Sequence, residues 1–254
     1  MRCNIINNND IFKKVEENIN NLVTHNVSWS IPVSHEEIEK VKSGIFEISI
    51  SGNKLLPRDW FPESMKDVKI LCLAGAGGQQ APLCAAAGAD VTVLDLSENM
   101  LLRDKAVAER ENLSIKLEQG NMCDMSRFAD ESFDIILNPP SLFYVPDVIP
   151  VYKECFRILK KGGTFILCGA NPMNYIYEYI EESDYYAICN TLPYKSYEHD
   201  NQGDWIEYGH TLDDYIGGLT RNGFTITGFF EDGYDENSTA VDFLDTCFII
   251  KAIK

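Results

Sequence analysis

Residues 68–80, Val-Lys-Ile-Leu-Cys-Leu-Ala-Gly-Ala-Gly-Gly-Gln-Gln, form an apolar run that breaks into a glycine turn, and Val91-Thr92-Val93-Leu94-Asp95 follows as a second apolar run ending on an acid. The pattern predicts strand, turn, helix and strand within one βαβ unit. Gly75 and Gly77 permit a sharp turn and a close approach of backbone to ligand, because glycine lacks the Cβ that blocks both. Asp95 lies twenty positions after Gly75, where a carboxylate accepts hydrogen bonds from two adjacent ribose hydroxyls. That spacing favours a cradle for a nucleotide-containing cofactor over an ordinary turn in which Asp95 only caps a helix near Ser97.

Two cofactor classes use such a cradle. Nicotinamide and flavin sites want a third glycine, so that the helix packs closely and its bare N-terminus meets a pyrophosphate. Here Gln80 occupies that position and Gln79 precedes it. S-adenosylmethionine has no phosphate, and its amino-acid end suits side-chain amide and carbonyl partners, so the glutamines favour it.

From residue 68 to 254 the chain resembles the class I S-adenosylmethionine-dependent methyltransferases, in particular the small-molecule branch called type 11. The resemblance rests on Gly75-Ala76-Gly77, on Asp95-Leu96-Ser97, on Gly120-Asn121-Met122, on Ser132-Phe133-Asp134-Ile135-Ile136-Leu137, and on Arg157-Ile158-Leu159-Lys160-Lys161-Gly162-Gly163 leading into Thr164-Phe165-Ile166-Leu167. It implies a cofactor held by Gly75, Ala76, Gly77 and Gln79 at the turn and by Asp95, Leu96 and Met100 after the second strand. Asn121, Met122 and Asn138 complete that expected set. The family usually carries Asp where this chain has Asn121, whose amide can still meet the adenine edge.

Strand patterns at 68–74, 90–95, 114–119, 133–138 and 164–169 alternate with helical segments. Such alternation predicts a doubly wound, mainly parallel sheet with ligands at the carboxyl ends of the strands, where Asp95, Asn121 and Asn138 all fall. A strand from Phe224 to Phe230 and a last strand from Cys247 to Ala252, antiparallel beside the fifth, would complete a seven-stranded Rossmann-like α/β fold. Residues 1–66 are expected to form an N-terminal helical cap, with a helix from Asp10 to His25 and a capping box at Ser34-His35-Glu36-Glu37 opening a helix stopped by Gly44. Residues 67–254 would be the cofactor-binding core, with a lid insertion at 170–209.

The formal charge of −17, with 22 basic against 39 acidic residues and no basic run beyond Lys160-Lys161, argues against nucleic-acid partners. No charged-then-apolar leader or span of about 18 apolar residues occurs, so a cytoplasmic location is expected. The eight cysteines show no C-x-x-C pair, and Cys72, Cys168 and Cys247 fall in strand patterns, so they are expected to be reduced core residues and not metal ligands.

Three features bear on the acceptor. Trp29 and Trp60 in the cap either anchor it or line the transfer pocket, together with Tyr144 and Tyr175. Asn138-Pro139-Pro140 would suit methylation of a planar amino nitrogen on a larger substrate, but Ser141 stands where that motif has a stacking ring. The insertion holds eight of twelve tyrosines, which could be the core of a small helical lid hinged at Asn201-Gln202-Gly203. His210, near Trp205 and Tyr208, is the candidate base, its alternative being a structural histidine. Because the sulfonium donates its methyl readily, alignment and exclusion of water matter most, and a base is needed only for a protonated nucleophile. Methyl transfer to a small molecule is the expected activity. A nicotinamide oxidoreductase and a cofactor-binding module without turnover are the alternatives.

Overall fold

The structure, a computed structural model of the chain, describes residues 8–25, 27–196, 206–233 and 245–254. The expected hinge at Asn201-Gln202-Gly203 and Trp205 lie outside the described residues. Helix α1 (Asn8–Thr24) presents Ile11, Val15, Ile19 and Val23 on one buried stripe at helical spacing. Helix α2 (His35–Lys42) opens on the expected capping box. The Ser34 hydroxyl accepts from the Glu37 amide, and the Glu37 carboxylate accepts from the Ser34 amide at 2.7 Å. It closes before Gly44, whose φ of 99° suits only glycine.

The core follows as β1 (Lys69–Leu73), α3 (Gln80–Ala86), β2 (Asp90–Asp95), α4 (Glu98–Glu111), β3 (Ile115–Gln119), β4 (Phe133–Asn138), α5 (Ile149–Ile158) and β5 (Leu159–Ala170). Ile70, Leu71, Cys72 and Leu73 are all fully buried. A strand with no solvated side needs cover on both faces, and helices supply it. The fifth strand begins earlier than the pattern predicts, at Leu159, because Leu159 still pairs with Phe133 before the register shifts and resumes at Ile135 opposite Thr164. Gly162, at a φ of 74°, lies in the stretch between these two pairings.

Among its described residues the insertion carries two short strand pairs beside the 3-10 turns Pro172–Tyr175 and Glu181–Ser183: β6 (Tyr177–Ile180) pairs antiparallel with β7 (Tyr185–Ile188), and β8 (Tyr194–Lys195) with β9 (Tyr208–Gly209). Tyrosines and β-branched residues in short alternating runs fit a pleated surface better than a helix. After it, Thr211 and Asp214 exchange hydrogen bonds as a cap, and a π-helical turn over Asp213–Gly217 runs into the short α6 (Gly218–Arg221). Strands β10 (Thr225–Asp232) and β11 (Cys247–Ile253) finish the chain. The main sheet has the order β10-β11-β5-β4-β1-β2-β3, with β11 antiparallel to both neighbours. This is the expected seven-stranded, doubly wound sheet with its last strand reversed.

Arg157, from the motif at the end of α5, acts as a clamp. Its guanidinium donates to the carbonyls of Met125 (2.9 Å) and Phe128 (2.8 Å) and to Glu154 (2.8 and 2.9 Å), tying α5 to the loop that feeds β4. No helix among the described residues is long and apolar enough to cross a membrane. Replacing Arg157 by Ala strands two carbonyls and a half-buried carboxylate, and should lower the unfolding free energy by about 1.5–3 kcal/mol. Arg157→Lys should recover only part, lacking the planar fork. An unchanged urea midpoint for Arg157→Ala would contradict the clamp.

Candidate functional site

Strand order reverses between β1 and β4, and a cavity of about 1530 Å³ opens at the carboxyl ends of the strands there. Pockets for one drug-sized ligand run to about 1,000 Å³, and this one is larger. Ala74 and Ala76 from the turn, Asp95 and Leu96 after β2, Met100 on α4, and Asn121 and Met122 after β3 all line it. Of the residues expected at the cofactor, Ala76, Gln79, Asp95, Leu96, Met100, Asn121 and Met122 line this one cavity, and Gly75, Gly77 and Asn138 do not.

The turn itself is built differently from the expectation. Ala74, Ala76, Gly77 and Gly78 have φ values of 54°, 56°, 72° and 78°, a left-handed run that costs alanine more than glycine. Gly75 is not left-handed. Its missing side chain makes room for Val93, whose Cγ1 would lie 3.0 Å from a Cβ. At Gly77 a Cβ would meet the Met100 sulfur at 2.8 Å, so both glycines serve the packing of the turn on β2 and α4 and neither lines the cavity. Beneath them Asp104, fully buried, accepts the Gly78 amide at 2.9 Å. Burial pushes the Asp104 carboxyl well above the usual range. This residue and Gly78 escaped the sequence reading, because their relation exists only once α4 is packed.

Asp95 supports the start of α4 from the edge of the cavity. Its Oδ1 accepts from the Ser97 amide at 2.8 Å, while the Ser97 hydroxyl caps α4 by accepting from Met100. The carboxylate is 7% exposed and lines the cavity. Burial pushes its pKa up to about 7, against the opposing pull of the Ser97, Gly75 and Leu96 amides. Asn121 uses its Oδ1 on the Cys123 amide at 2.8 Å. Asn138 lies behind the wall, fully buried, donating to the Leu73 carbonyl and to Ser141 at 2.8 Å each. Its Oδ1 has no hydrogen-bond partner among the described residues.

The cap closes the site from above. Phe12, Val15 and Ile19 of α1 and the indole of Trp29 line the cavity. Asn20 accepts from the Ser97 hydroxyl at 2.6 Å, Arg103 reaches the carbonyls of Val23 and Ser30, and the Val33 amide donates to the Gly78 carbonyl at 2.9 Å. Gln79 lines the cavity but spends its amide on the Trp29 carbonyl (2.7 Å) and the Ile31 carbonyl (3.2 Å). Trp60 lies elsewhere. Its ring rests on Gly228 of β10, where a Cβ would come within 2.5 Å, with Lys251 above it.

Tyr144, Tyr175, Tyr194 and Glu207 also line the cavity, Tyr144 and Leu96 packing against the buried cluster that holds Met100. His210 does not line the cavity. Its ring is 4% exposed, packs edge-on against Tyr215 and is 3.0 Å from the Leu142 carbonyl through Nε2, and burial lowers its pKa. The ligand atoms of His35, Glu39 and Glu111 lie within 4.8 Å of one another, but Glu111 is already held by Arg110 at 2.6 Å and His35 at 2.9 Å.

Residues 71–167 match the family model for a methyltransferase domain. The uncharacterized methyltransferase YbaJ of Bacillus subtilis is 41% identical over 214 residues, covering 80% of this chain and 84% of that protein. The sterol 24-C-methyltransferase erg6 of Aspergillus fumigatus is 30% identical over 176 residues, 68% of this chain but only 40% of the fungal enzyme. Among solved structures, an S-adenosylmethionine-dependent methyltransferase from Mesorhizobium loti superposes with a TM-score of 0.62 at 20% identity, covering 78% of this chain and 95% of that one. With a motif-bearing wall at the sheet's reversal point and a relative alike over most of both lengths, the chain belongs to the S-adenosylmethionine-dependent methyltransferases.

Proposed function

We propose that the cavity binds the methyl donor beside Asp95 and a small organic acceptor beside Tyr144 and Tyr175, beneath a cap formed by residues 1–66 and an insertion at 170–209. The observation that carries this reading is Asp95, a buried carboxylate exposed only to the cavity, beside a left-handed turn at the sheet's reversal point. Bound there, S-adenosylmethionine would supply an activated methyl group. Asp95 would accept the ribose hydroxyls, Asn121 and Met122 would flank the adenine, and Ala76, Leu96 and Met100 would form the floor, with Gly75 and Gly77 beneath it seating the turn on β2 and α4. Gln79 would act by holding the cap down, and Asn138, buried behind the wall, by fixing Ser141 at the start of the loop after β4. Trp29 at the mouth and the enclosed Tyr144 and Tyr175 would exclude water. The fungal relative acts on a sterol by its name, which agrees with a small-molecule acceptor. Seven described cysteines without a disulfide agree with the reducing cytoplasm.

Replacing Asp95 by Ala should weaken S-adenosylhomocysteine binding by roughly 2–4 kcal/mol in calorimetric titration, since the ribose loses a charged acceptor. The pH dependence has a definite sign. With a folded-state pKa of about 7, the carboxylate is about nine-tenths ionised at pH 8 and about one-tenth at pH 6, so affinity should fall roughly tenfold between them. The ligand-free protein should respond oppositely: an acid whose pKa is raised on folding loses stability as pH rises from about 4 to about 7. Equal affinity at pH 6 and 8 in the native protein would remove Asp95 from the site.

His210 we assign to bracing the loop after β4 through the Leu142 carbonyl, in place of acting as a base. His210→Gln keeps a donor and should retain kcat with an unchanged pH profile, whereas His210→Ala should lower Tm. Loss of turnover in a stably folded Gln variant would restore the base.

A further inference from the structure

The N-terminal segment leaves an apolar surface on the open side of the cavity. Trp29, Ile31, Ile45 and Leu55 are 44%, 57%, 50% and 53% exposed, and all four line the cavity. Water reaches these side chains, so a ligand can replace it there. Every other exposed large apolar side chain among the described residues, such as Ile188 at 76%, lies outside the lining. The backbone that carries the four is held in place. Gln79 donates to the Trp29 and Ile31 carbonyls at 2.7 and 3.2 Å, and the Leu56 amide donates to the Ile48 carbonyl at 2.8 Å, closing the loop between them. That loop is latched to the edge of the sheet. The Ser51 hydroxyl and the Lys54 amide both donate to the Asp232 carboxylate, and the Asn53 side chain donates to the Gly233 carbonyl. The same segment adds Glu37, Lys40, Glu47 and Asn53 to the lining, with Lys40 3.4 Å from Glu36.

Resting on the donor-and-acceptor reading above, we propose that the acceptor carries a flexible hydrocarbon tail, held by Trp29, Ile31, Ile45 and Leu55 while its reacting end lies deeper in the cavity with the methyl donor. Exposed apolar side chains are ordinarily scattered singly, and several gathered on one polar-edged surface mark a ligand groove or an interface. Continuity selects the ligand. The four residues line the same cavity as Asp95, so a molecule with one end at the donor runs onto them without a break. An anionic bilayer fits the surface poorly. The segment presents Glu37 and Glu47 against Lys40, which Glu36 already pairs, on a chain of net charge −17. Each methylene withdrawn from water is worth up to about a fourfold gain in affinity, so tail length would set which acceptors bind.

The test titrates the full chain, saturated with S-adenosylhomocysteine, with 1-butanol, 1-hexanol, 1-octanol and 1-decanol, read by calorimetry and thermal shift. Affinity is expected to rise roughly tenfold or more from 1-butanol to 1-octanol. Ile45→Asn and Leu55→Asn should each lower 1-octanol affinity roughly threefold or more, with S-adenosylhomocysteine affinity unchanged. Ile188→Asn, outside the cavity, should leave both affinities as they are. A series flat in chain length, folded Ile45→Asn and Leu55→Asn proteins with undiminished 1-octanol binding, or an equal loss in the Ile188→Asn protein would overturn the proposal. Sedimentation with and without phosphatidylcholine vesicles reads the other occupants. Vesicle binding or self-association that Leu55→Asn abolishes, in place of the chain-length dependence, would overturn it as well. Failure of S-adenosylhomocysteine itself to bind would instead overturn the donor-site reading and, with it, this one.

Discussion

A buried carboxyl under a left-handed turn sets the geometry on which the cleft depends. Asp104 has no exposed surface and accepts the Gly78 amide, and the next residues upstream, Gly77, Ala76 and Ala74, are held at positive φ. Such conformations persist only where the surroundings enforce them. Met100 and Arg103 fill the space beside Gly77, so α4 fixes the turn from one side while β1 and β2 fix it from the other. The result is a backbone reversal at the switch point with Asp95 beside it. Cost and purpose coincide here, as is common where strain collects at ligand sites.

The N-terminal segment is joined to that turn by hydrogen bonds as well as by packing. Val33 donates to the Gly78 carbonyl, Gln79 reaches back to Trp29 and Ile31, and Gln80 to the Ser49 carbonyl. Val33, Ile38, Val41 and Ile48 share one buried cluster with Ile70, Cys72 and Val93. Segment and turn are therefore packed as one unit, hydrogen-bonded at Gly78, Gln79 and Gln80. On the other side, Ser51 and Lys54 are tied to Asp232 at the end of β10, which anchors the cover to the far edge of the sheet.

Much of this was legible in the chain because its signals are local. Apolar runs bounded by glycine marked β1 to β4 to within a residue, the Ser34–Glu37 box marked α2, and the spacing from turn to acid marked Asp95. What was missed depends on residues remote in sequence. Asp104 becomes a support only when α4 lies under Gly78. Trp60 leaves the cleft because Gly228, far along the chain, offers a bare strand for its ring. His210 sits in a position that looks catalytic from its neighbours, yet its partner is the Leu142 carbonyl, 68 residues away. The strands of the insertion did have a signal, the alternation in Tyr177-Glu178-Tyr179-Ile180, which favoured β structure over a helix.

Donor binding would involve the Asp95 side of one cavity, and amide hydrogen exchange with and without S-adenosylhomocysteine reads that side directly. Binding as described predicts slowed exchange at residues 74–80, 95–100 and 119–123, with residues 225–232 at the sheet edge unchanged. Protection confined to other segments, or none at saturating ligand, would contradict the assignment of the cleft.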